Sequence, residues 1–400
     1  MRHSQTAHLG LVLLFLVVGC MDPDLTTAVL HPGDVLHTSS SSTDPGYSAI
    51  LLSGEDSRAL AMSNSGHVVG TLKDSDNFKY AVRWLIDDTG VLEGPIALGE
   101  LRGVFQEPSS VNNLGAVVGR ISLQDGFIFE SEMQILPSAP EFDDFSGAYH
   151  PLHINDQGMV AGQVRYAVYE DGVYDRRDVR GLLWQVPYDS PPVVLPPLEG
   201  HLSSRAAHVD EAGLIMGVSY KKSSDHTIAD WTIVTWKVSD DVASAPVVVS
   251  DSPPVWFTTR NDNDILGFAE VFRNDTWQAL QPLPGHHRVR SFDMAGLNSE
   301  GVVRIVGSSS EDGATAGVPV TWILDVSDVA GSPVQLGTPG GRNYSGNGSA
   351  RAVNDTGSIV GYTFRRNGQH RATLWLPGGD GDEDGGEDDC RRHPRTDECR

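Results

Sequence analysis

The chain has 400 residues, enough for two or three domains or for one large repetitive domain. Its formal net charge is −24, and residues 380–400 carry only part of it, with nine acidic residues against four arginines. Such a surface repels phosphate backbones, which argues against a nucleic-acid partner and favours cations or basic partners.

Residues 1–19 have the features of a signal peptide. The apolar run LGLVLLFLVVG (9–19) follows Arg2 and is too short to span a bilayer. It ends in VVGC, which resembles the lipobox of bacterial lipoproteins. This resemblance implies that Cys20 becomes the lipidated first residue of the mature chain. The alternative is an ordinary signal peptide followed by a chance cysteine.

The segment that follows predicts a protein held at a membrane by its lipid alone. Residues 20–47 include TSSSST (38–43) and have the composition of a flexible tether. No later stretch approaches the roughly 20 apolar residues of a membrane span. By analogy with enterobacterial sorting rules, Met21 after the cysteine indicates the outer membrane. We therefore expect a location in the cell envelope, on the outer membrane or the cell surface.

A turn motif recurs seven times between residues 62 and 361. The copies are MSNSGHVVG (62–70), VNNLGAVVG (111–119), INDQGMVAG (154–162), VDEAGLIMG (209–217), TRNDNDILG (259–267), LNSEGVVRIVG (297–307) and VNDTGSIVG (353–361). Their terminal glycines are separated by 40 residues (Gly267 to Gly307) to 55 residues (Gly162 to Gly217). An apolar residue, an Asn/Asp/Ser turn with Gly, and a β-branched exit are typical of a tight hairpin. This period indicates a repeat architecture.

Two further strands complete each unit. The third strand carries Trp in six units, as in YAVRWL (80–85) and RATLWL (371–376), and the fourth is Pro-containing, as in PVVLPP (192–197). The predicted fold is therefore an all-β, seven-bladed β-propeller of four-stranded antiparallel blades over residues 48–378. The last unit lacks a fourth strand, so we expect SAILLSG (48–54) to pair beside the strand around Trp375 and close the ring.

These turns, the A-x-x-W third strand (Ala372 to Trp375) and LGTPGG (336–341) are similar to the extracellular HAF-repeat family. The similarity covers about residues 48–378, although Arg371-Ala372-Thr373 stands where the family has His-Ala-Phe. The resemblance implies an exported repeat protein, and it brings no established catalytic residue.

Two histidines stand out beside the turns. The acidic residues of the turns, by contrast, recur in nearly every unit and are therefore interpreted as structural. His153 and His208 both precede the leading apolar residue of the turn, where other units carry Ala61, Ser110, Thr258, Gly296 and Ala352. The pair has two interpretations. They begin a metal site whose third ligand the spacing does not show, or they are packed, hydrogen-bonded side chains.

The stretch RYAVYEDGVYDRRDVR (165–180) predicts an unusually long hairpin between the second and third strands of blade 3. It carries the candidate binding residues Tyr166, Tyr169, Tyr174, Arg176 and Arg177. Tyr and Arg are typical interface anchors, which suggests a protein or glycan ligand. The alternative is a solvated hairpin without a partner.

The acidic tail, residues 379–400, offers a candidate calcium site. Asp380, Asp382 and Asp384 occupy positions one, three and five of a calcium-loop pattern, but Arg391 stands at position twelve. The alternative is a disordered acidic tail. Cys390 and Cys399 are predicted to form one small disulfide loop in an exported protein.

No GxSxG elbow, HExxH motif, P-loop or dinucleotide-binding fingerprint appears in the sequence. The predicted function is an exported, lipid-anchored, non-enzymatic binding or surface scaffold that requires no cofactor, with calcium possible in the tail. The alternative is a propeller-type hydrolase or lyase with its site over the central channel. Convergent carboxylates or histidines on one face would favour the enzyme.

Overall fold

A computed structural model describes residues 46–99, 105–122, 124–145, 147–222, 228–250, 257–260, 265–267, 269–273, 276–296, 302–314, 316–324, 331–340 and 343–378. The predicted leader, Cys20, most of the tether, the calcium-loop residues Asp380, Asp382 and Asp384, and the cysteines Cys390 and Cys399 lie outside these ranges. Within them, none of the helical structure is long and apolar enough to cross a bilayer.

Seven four-stranded antiparallel sheets form the fold, and their strands are numbered β1 to β30 in chain order. Blades 1 to 3 comprise β2 (Ser57–Met62), β3 (His67–Lys73), β4 (Lys79–Asp87) and β5 (Gly90–Ala97); β6 (Gln106–Val111), β7 (Val117–Ile121), β8 (Asp125–Phe129) and β9 (Met133–Ile135); and β10 (Ala148–Ile154), β11 (Val160–Glu170), β12 (Val173–Trp184) and β13 (Val193–Leu195). A short 3-10 helix, Pro140–Phe145, precedes blade 3.

Blades 4 to 6 continue the pattern. They comprise β14 (Ser203–Val209), β15 (Ile215–Lys222), β16 (Ile228–Trp236) and β19 (Val247–Ser250); β20 (Phe257–Arg260), β21 (Ile265–Gly267), β22 (Glu270–Arg273) and β23 (Thr276–Ala279); and β24 (Arg288–Met294), β25 (Val303–Ser310), β26 (Val318–Leu324) and β27 (Val334–Gln335). A two-stranded ribbon, β17 (Val238–Ser239) and β18 (Val242–Ala243), projects from blade 4.

Blade 7 joins the two ends of the described chain. It comprises β28 (Tyr344–Val353), β29 (Ile359–Arg365), β30 (His370–Pro377) and β1 (Tyr47–Leu51), with Ala49 opposite Trp375. The N–H of Leu52 also donates to the Ala372 carbonyl at 2.9 Å. The predicted closure by the N-terminal strand is confirmed.

The first strand of each blade is the innermost one. It contacts the first strand of the next blade all the way round, and β28 of blade 7 contacts β2 of blade 1. The seven units therefore form a closed ring around a central channel, which confirms the predicted seven-bladed propeller. A closed ring leaves no unpaired end that needs a cap.

The terminal glycine of the motif has a packing reason. In every blade a β-bulge interrupts the first strand directly opposite this glycine, as between Ala350 and Ala352 opposite Gly361. A Cβ on Gly361 would lie 2.0 Å from the carbonyl oxygen of Ser349, and one on Gly70 would lie 1.9 Å from that of Arg58. Only glycine lets the bulged inner strand approach so closely.

The tryptophans of the third strands join neighbouring blades. Trp84, Trp184, Trp236, Trp322 and Trp375 are almost fully buried. The indole N–H groups of four of them donate to carbonyls at the end of the preceding blade, namely Pro137, Pro196, Gln281 and Gly337, at 2.6–2.8 Å. These side chains therefore pack blade against blade rather than around a ligand.

The register of two blades differs from the sequence alignment. The strand register places Asp293 of blade 6 and Thr259 of blade 5 at the positions that His153 and His208 occupy in blades 3 and 4. The alignment, which put Gly296 and Thr258 there, was wrong. In blade 6, β24 ends at Met294, three residues before Leu297, the apolar residue at which the sequence motif predicts the entry to the turn.

Candidate functional site

The propeller has two faces that differ in chemistry. The turn face carries the connections between first and second strands, at 63–66, 112–116, 155–159, 210–214 and 354–358. The hairpin face carries the connections between second and third strands, at 74–78, 171–172, 311–314 and 366–369. Because adjacent strands are antiparallel, the two kinds of connection lie at opposite ends of the channel.

Asn and Asp side chains on the turn face stabilise their own turns. Asn112 Oδ1 accepts hydrogen bonds from the N–H groups of Leu114 and Ala116 at 3.1 and 2.9 Å. Its Nδ2 donates to the carbonyl of Asn155 in the next blade at 2.9 Å, and Asn155 repeats this contact toward Asp210. One amide therefore satisfies a turn and links two blades.

The next residue of the motif extends this network around the mouth of the channel. Asn113 donates through its N–H and its Nδ2 to the two carboxylate oxygens of Asp156, both at 2.8 Å. The N–H of Asp156 in turn donates to Glu211. The acidic turn residues therefore bond to neighbouring blades, as their recurrence in the sequence suggested.

His153 and His208 are brought together, with ring centroids 4.1 Å apart. His153 Nδ1 accepts a hydrogen bond from the Val209 N–H of the next blade at 3.4 Å. Burial lowers the pKa of His153 to about 4, so the ring is neutral at pH 7. Among the described residues, no group of three His, Cys, Asp or Glu side chains could hold a metal.

The same contact recurs in other blades with other side chains. Ser110 Oγ accepts from the N–H of Ile154 at 3.4 Å, and Asp293 Oδ2 accepts from that of Val353 at 3.1 Å. This position therefore supplies an acceptor for the following blade, and imidazole, hydroxyl and carboxylate all serve. The packed, hydrogen-bonded interpretation of His153 accounts for its contacts.

The long hairpin of blade 3 extends over β11 and β12 as the sequence indicated. Its tip exposes Tyr169 (51%), Val173 (69%) and Tyr174 (55%), and the two tyrosine rings meet edge to face at 6.1 Å. Arg177 lies on the same strand, β12.

Two of the candidate hairpin residues are engaged within the protein. Arg176 is in salt bridges with Asp175 at 2.5 Å, Asp178 at 3.0 Å and Glu170 at 3.7 Å. Tyr166 packs against Phe142 of the 3-10 helix, with ring centroids 4.6 Å apart. The accessible aromatic surface is therefore Tyr169 and Tyr174 with Val173, which we call the aromatic tip.

A charged pocket of about 160 Å³ opens at the joint between blades 7 and 1. Its charged lining consists of Asp56, Arg58, Lys73, Lys79 and His370. Nδ1 of His370 lies 3.4 Å from Asp56 Oδ1, which is the geometry of a base held by a carboxylate. Nε2 of His370, however, lies 2.8 Å from Arg58 Nη2. The nitrogen that would take a proton from a substrate is thus already occupied.

Two Ser–His pairs also recur in the ring. His201 Nδ1 lies 2.9 Å from Ser219 Oγ, and His286 Nδ1 lies 3.0 Å from Ser309 Oγ. Both serines are fully buried, and each hydroxyl accepts a backbone N–H, from Leu198 and Leu283 respectively. The same arrangement occurs in two blades, and in both the buried hydroxyl holds the preceding loop through a backbone hydrogen bond. We therefore interpret these serines as structural residues rather than nucleophiles.

Sequence reasoning missed the arginines of the inner strands. Arg58, Arg205 and Arg290 occupy one equivalent position, directly before the residue that pairs with the motif glycine. Arg351 fills the bulge of blade 7. An alignment of the first strands on their bulges would have shown this pattern, but the bulges themselves are not visible in the sequence.

The chain matches no family model and no curated protein. It is similar to solved structures of a puromycin hydrolase (12% identity, TM-score 0.49), the BP39L lectin from Burkholderia pseudomallei (11%, 0.42) and the Dos1 propeller (7%, 0.38). These matches cover 83%, 81% and 83% of this chain, and 55%, 96% and 95% of the other chains. The chain thus spans about half the length of the hydrolase. Similarity at this level concerns the fold and assigns no activity.

Proposed function

We propose that this protein is an exported, lipid-anchored, non-enzymatic propeller that binds a protein or glycan ligand on its hairpin face. The aromatic tip of blade 3 is the observation that carries the proposal. Tyr169, Val173 and Tyr174 each expose more than half of their surface at the end of a regular hairpin. A closed ring beneath it supplies a rigid support.

The tip has the chemistry of a recognition surface. Tyrosine offers a large apolar ring and a hydroxyl, and it loses little conformational entropy when it binds. The edge-to-face contact of Tyr169 with Tyr174 further restricts both rings. The ion pairs of Arg176 with Asp175 and Asp178 stiffen the strand below them. A ligand would therefore meet a preorganised aromatic pair.

The anchor and tail complete the proposal. Lipidated Cys20 would hold the propeller at the outer membrane or cell surface, and the segment predicted as a tether, residues 20–47, would connect it to β1, which begins at Tyr47. The lipid is the proposed membrane contact, no cofactor is required, and nucleic acid is not a proposed partner. Calcium in the tail is tested by calorimetry on the full chain and on a chain ending at residue 378. Equal binding heats for the full chain and for the chain ending at residue 378 would contradict a calcium site in the tail.

The binding proposal is tested with the double variant Tyr169→Ala/Tyr174→Ala. We expect the double variant to capture at least tenfold less ligand than the wild-type protein, both from envelope extracts and on glycan panels. Leu114→Ala is the matched control, because Leu114 is 76% exposed on the opposite, turn face. Equal recovery by the wild-type protein and the double variant would contradict the proposal.

The competing proposal is a hydrolase or lyase that acts at the pocket between blades 7 and 1. The Asp56–His370 pair is the observation that favours it, and the occupation of His370 Nε2 by Arg58 weighs against it. Turnover of ester, peptide or uronide substrates that disappears in His370→Asn would replace the binding proposal with an enzyme.

A further inference from the structure

Three arginines gather on the inner strands of blades 6, 7 and 1. These residues, Arg290, Arg351 and Arg58, are called the arginine cluster. The guanidinium carbons of Arg351 and Arg290 lie over the Phe292 ring, 3.9 and 5.9 Å from its centroid. That of Arg58 lies over the Tyr362 ring at 5.1 Å. The cluster therefore places three cations beside two aromatic rings at the channel.

Arg351 is the centre of the cluster. Its Nε is fully enclosed and has no hydrogen-bond partner, and within the described part of the chain its guanidinium makes no ion pair. Burial lowers the pKa of Arg351, opposed by Tyr362 and Glu107 and reinforced by Arg290 and Arg58. Arginine nevertheless stays charged in proteins, so a partly buried positive charge stands here without an ion-pair partner among the described residues.

The carboxylate that interacts electrostatically with Arg351, that of Glu107, is already committed. Glu107 of blade 2 accepts two hydrogen bonds from Arg120, at 2.6 and 3.1 Å. The pocket next to Arg58 adds Lys73 and Lys79 against the single carboxylate of Asp56. In a chain with a net charge of −24, this region therefore carries more cationic than anionic side chains.

We infer that the arginine cluster is an anion-binding site in the channel, where Arg351 binds a carboxylate, sulfate or phosphate group and Arg58 and Arg290 add positive charge. A guanidinium has five N–H donors and no acceptor, and its fork matches the oxygens of an oxyanion. The rings of Phe292 and Tyr362 pack against the guanidinium groups of Arg351 and Arg58 and restrict their positions. The arginine cluster shares no residue with the aromatic tip, so this inference is tested independently of the proposed function.

The test is calorimetry and thermal unfolding of the full chain with sulfate, inorganic phosphate and glucuronate, with chloride at equal ionic strength as the reference. We expect at least one oxyanion to bind and to raise the melting temperature, because a ligand that binds only the folded state stabilises it. The strongest of the three probes identifies the acid group. Binding no stronger than that of chloride for all three probes would overturn the inference.

Variants tie the effect to the cluster. Arg351→Gln removes the charge and is expected to weaken binding at least tenfold, and Arg351→Lys keeps the charge without the fork and should give a smaller loss. Arg288→Gln is the control, because Arg288 lies two residues from Arg290 but pairs with Asp312 at 3.2 Å.

The remaining outcomes are equally decisive. An affinity within twofold of wild type in Arg351→Gln would refute the site. If Arg351→Gln fails to fold, Arg58→Gln replaces it and must weaken binding at least threefold. Tyr169→Ala/Tyr174→Ala should leave anion affinity unchanged, which separates this inference from the proposed function.

Discussion

Asn64 of blade 1 donates a hydrogen bond from its Nδ2 to Asp355 Oδ2 of blade 7 at 2.7 Å, although 291 residues separate them. Asp355 returns the contact, because its N–H donates to Asn64 Oδ1 at 3.0 Å. The turn motif is therefore used across the ring closure in the same way as between consecutive blades.

This contact predicts a measurable loss when the carboxylate is removed. Asp355→Ala should lower the free energy of unfolding by about 1 kcal/mol, because the N–H of Gly296 and the amide of Asn64 lose their acceptor. A double-mutant cycle with Asn64→Ala in urea isolates the coupling between them. Asp312→Ala, which breaks an exposed ion pair, is the control. Purely additive losses would show that the two turns are independent.

The N-terminal strand predicts a larger effect. Leu52 is fully buried in a cluster with Val68, Trp84 and Leu374, so it joins blades 1 and 7. Leu52→Ala should cost about 2–5 kcal/mol through lost contacts and a cavity. Leu92→Ala is the control, because Leu92 is 59% exposed. Urea midpoints measure both, and equal midpoints would mean that the closure contributes little.

The buried carboxyl group of Asp293 leads us to expect that the free energy of unfolding decreases as the pH rises. Burial raises the pKa of Asp293 to about 7, while the N–H groups of Val353 and Met294 lower it. The unfolded chain loses this proton near pH 3.9, as ordinary Asp does. The folded state therefore keeps the proton longer, and stability decreases as the pH rises from about 4 to about 7.

The matching experiment compares urea midpoints of wild type and Asp293→Asn between pH 4 and pH 8. The amide oxygen can still accept the Val353 N–H, so the variant should be the more stable protein at pH 8 and should lack this decrease. Asp312→Asn, at an exposed site, should follow the wild type. If the urea midpoint of Asp293→Asn falls with pH as steeply as that of the wild type, another group is responsible for the titration.

The lipid anchor predicts the behaviour of a single cysteine variant. Cys20→Ala should abolish labelling by a fatty-acid analogue and should release the protein from membranes, because the predicted acylation site is removed. Cys390→Ala should keep both the label and the membrane association. Unchanged membrane retention of Cys20→Ala would refute the anchor.

Much of the fold was predictable because its determinants are local. A turn of Asn or Asp with Gly, the alternation of each strand and the recurrence of Trp all act within about 50 residues, so seven blades are visible in the sequence. The unpaired strand before blade 1 and the missing strand of blade 7 predicted the closure that Ala49 and Trp375 make. The blade 6 alignment failed because ten residues (295–304) separate its paired residues Met294 and Ile305, whereas five (155–159) separate Ile154 and Val160 in blade 3. The sequence motif does not show where along this longer segment the first strand ends.

The candidate sites depend on neighbours that are distant in the chain. The composition of residues 165–180 indicated five binding residues, but only packing decided that Tyr166 lies against Phe142 and that Arg176 pairs with acidic residues. A net charge of −24 favoured cations, whereas the fold collects Arg58, Arg290 and Arg351 at the channel. The sequence by itself determined the repeat, its turns and its closure, since these follow from short-range backbone chemistry. The tertiary structure decided which charges meet, because ring closure brings together residues that are hundreds of positions apart.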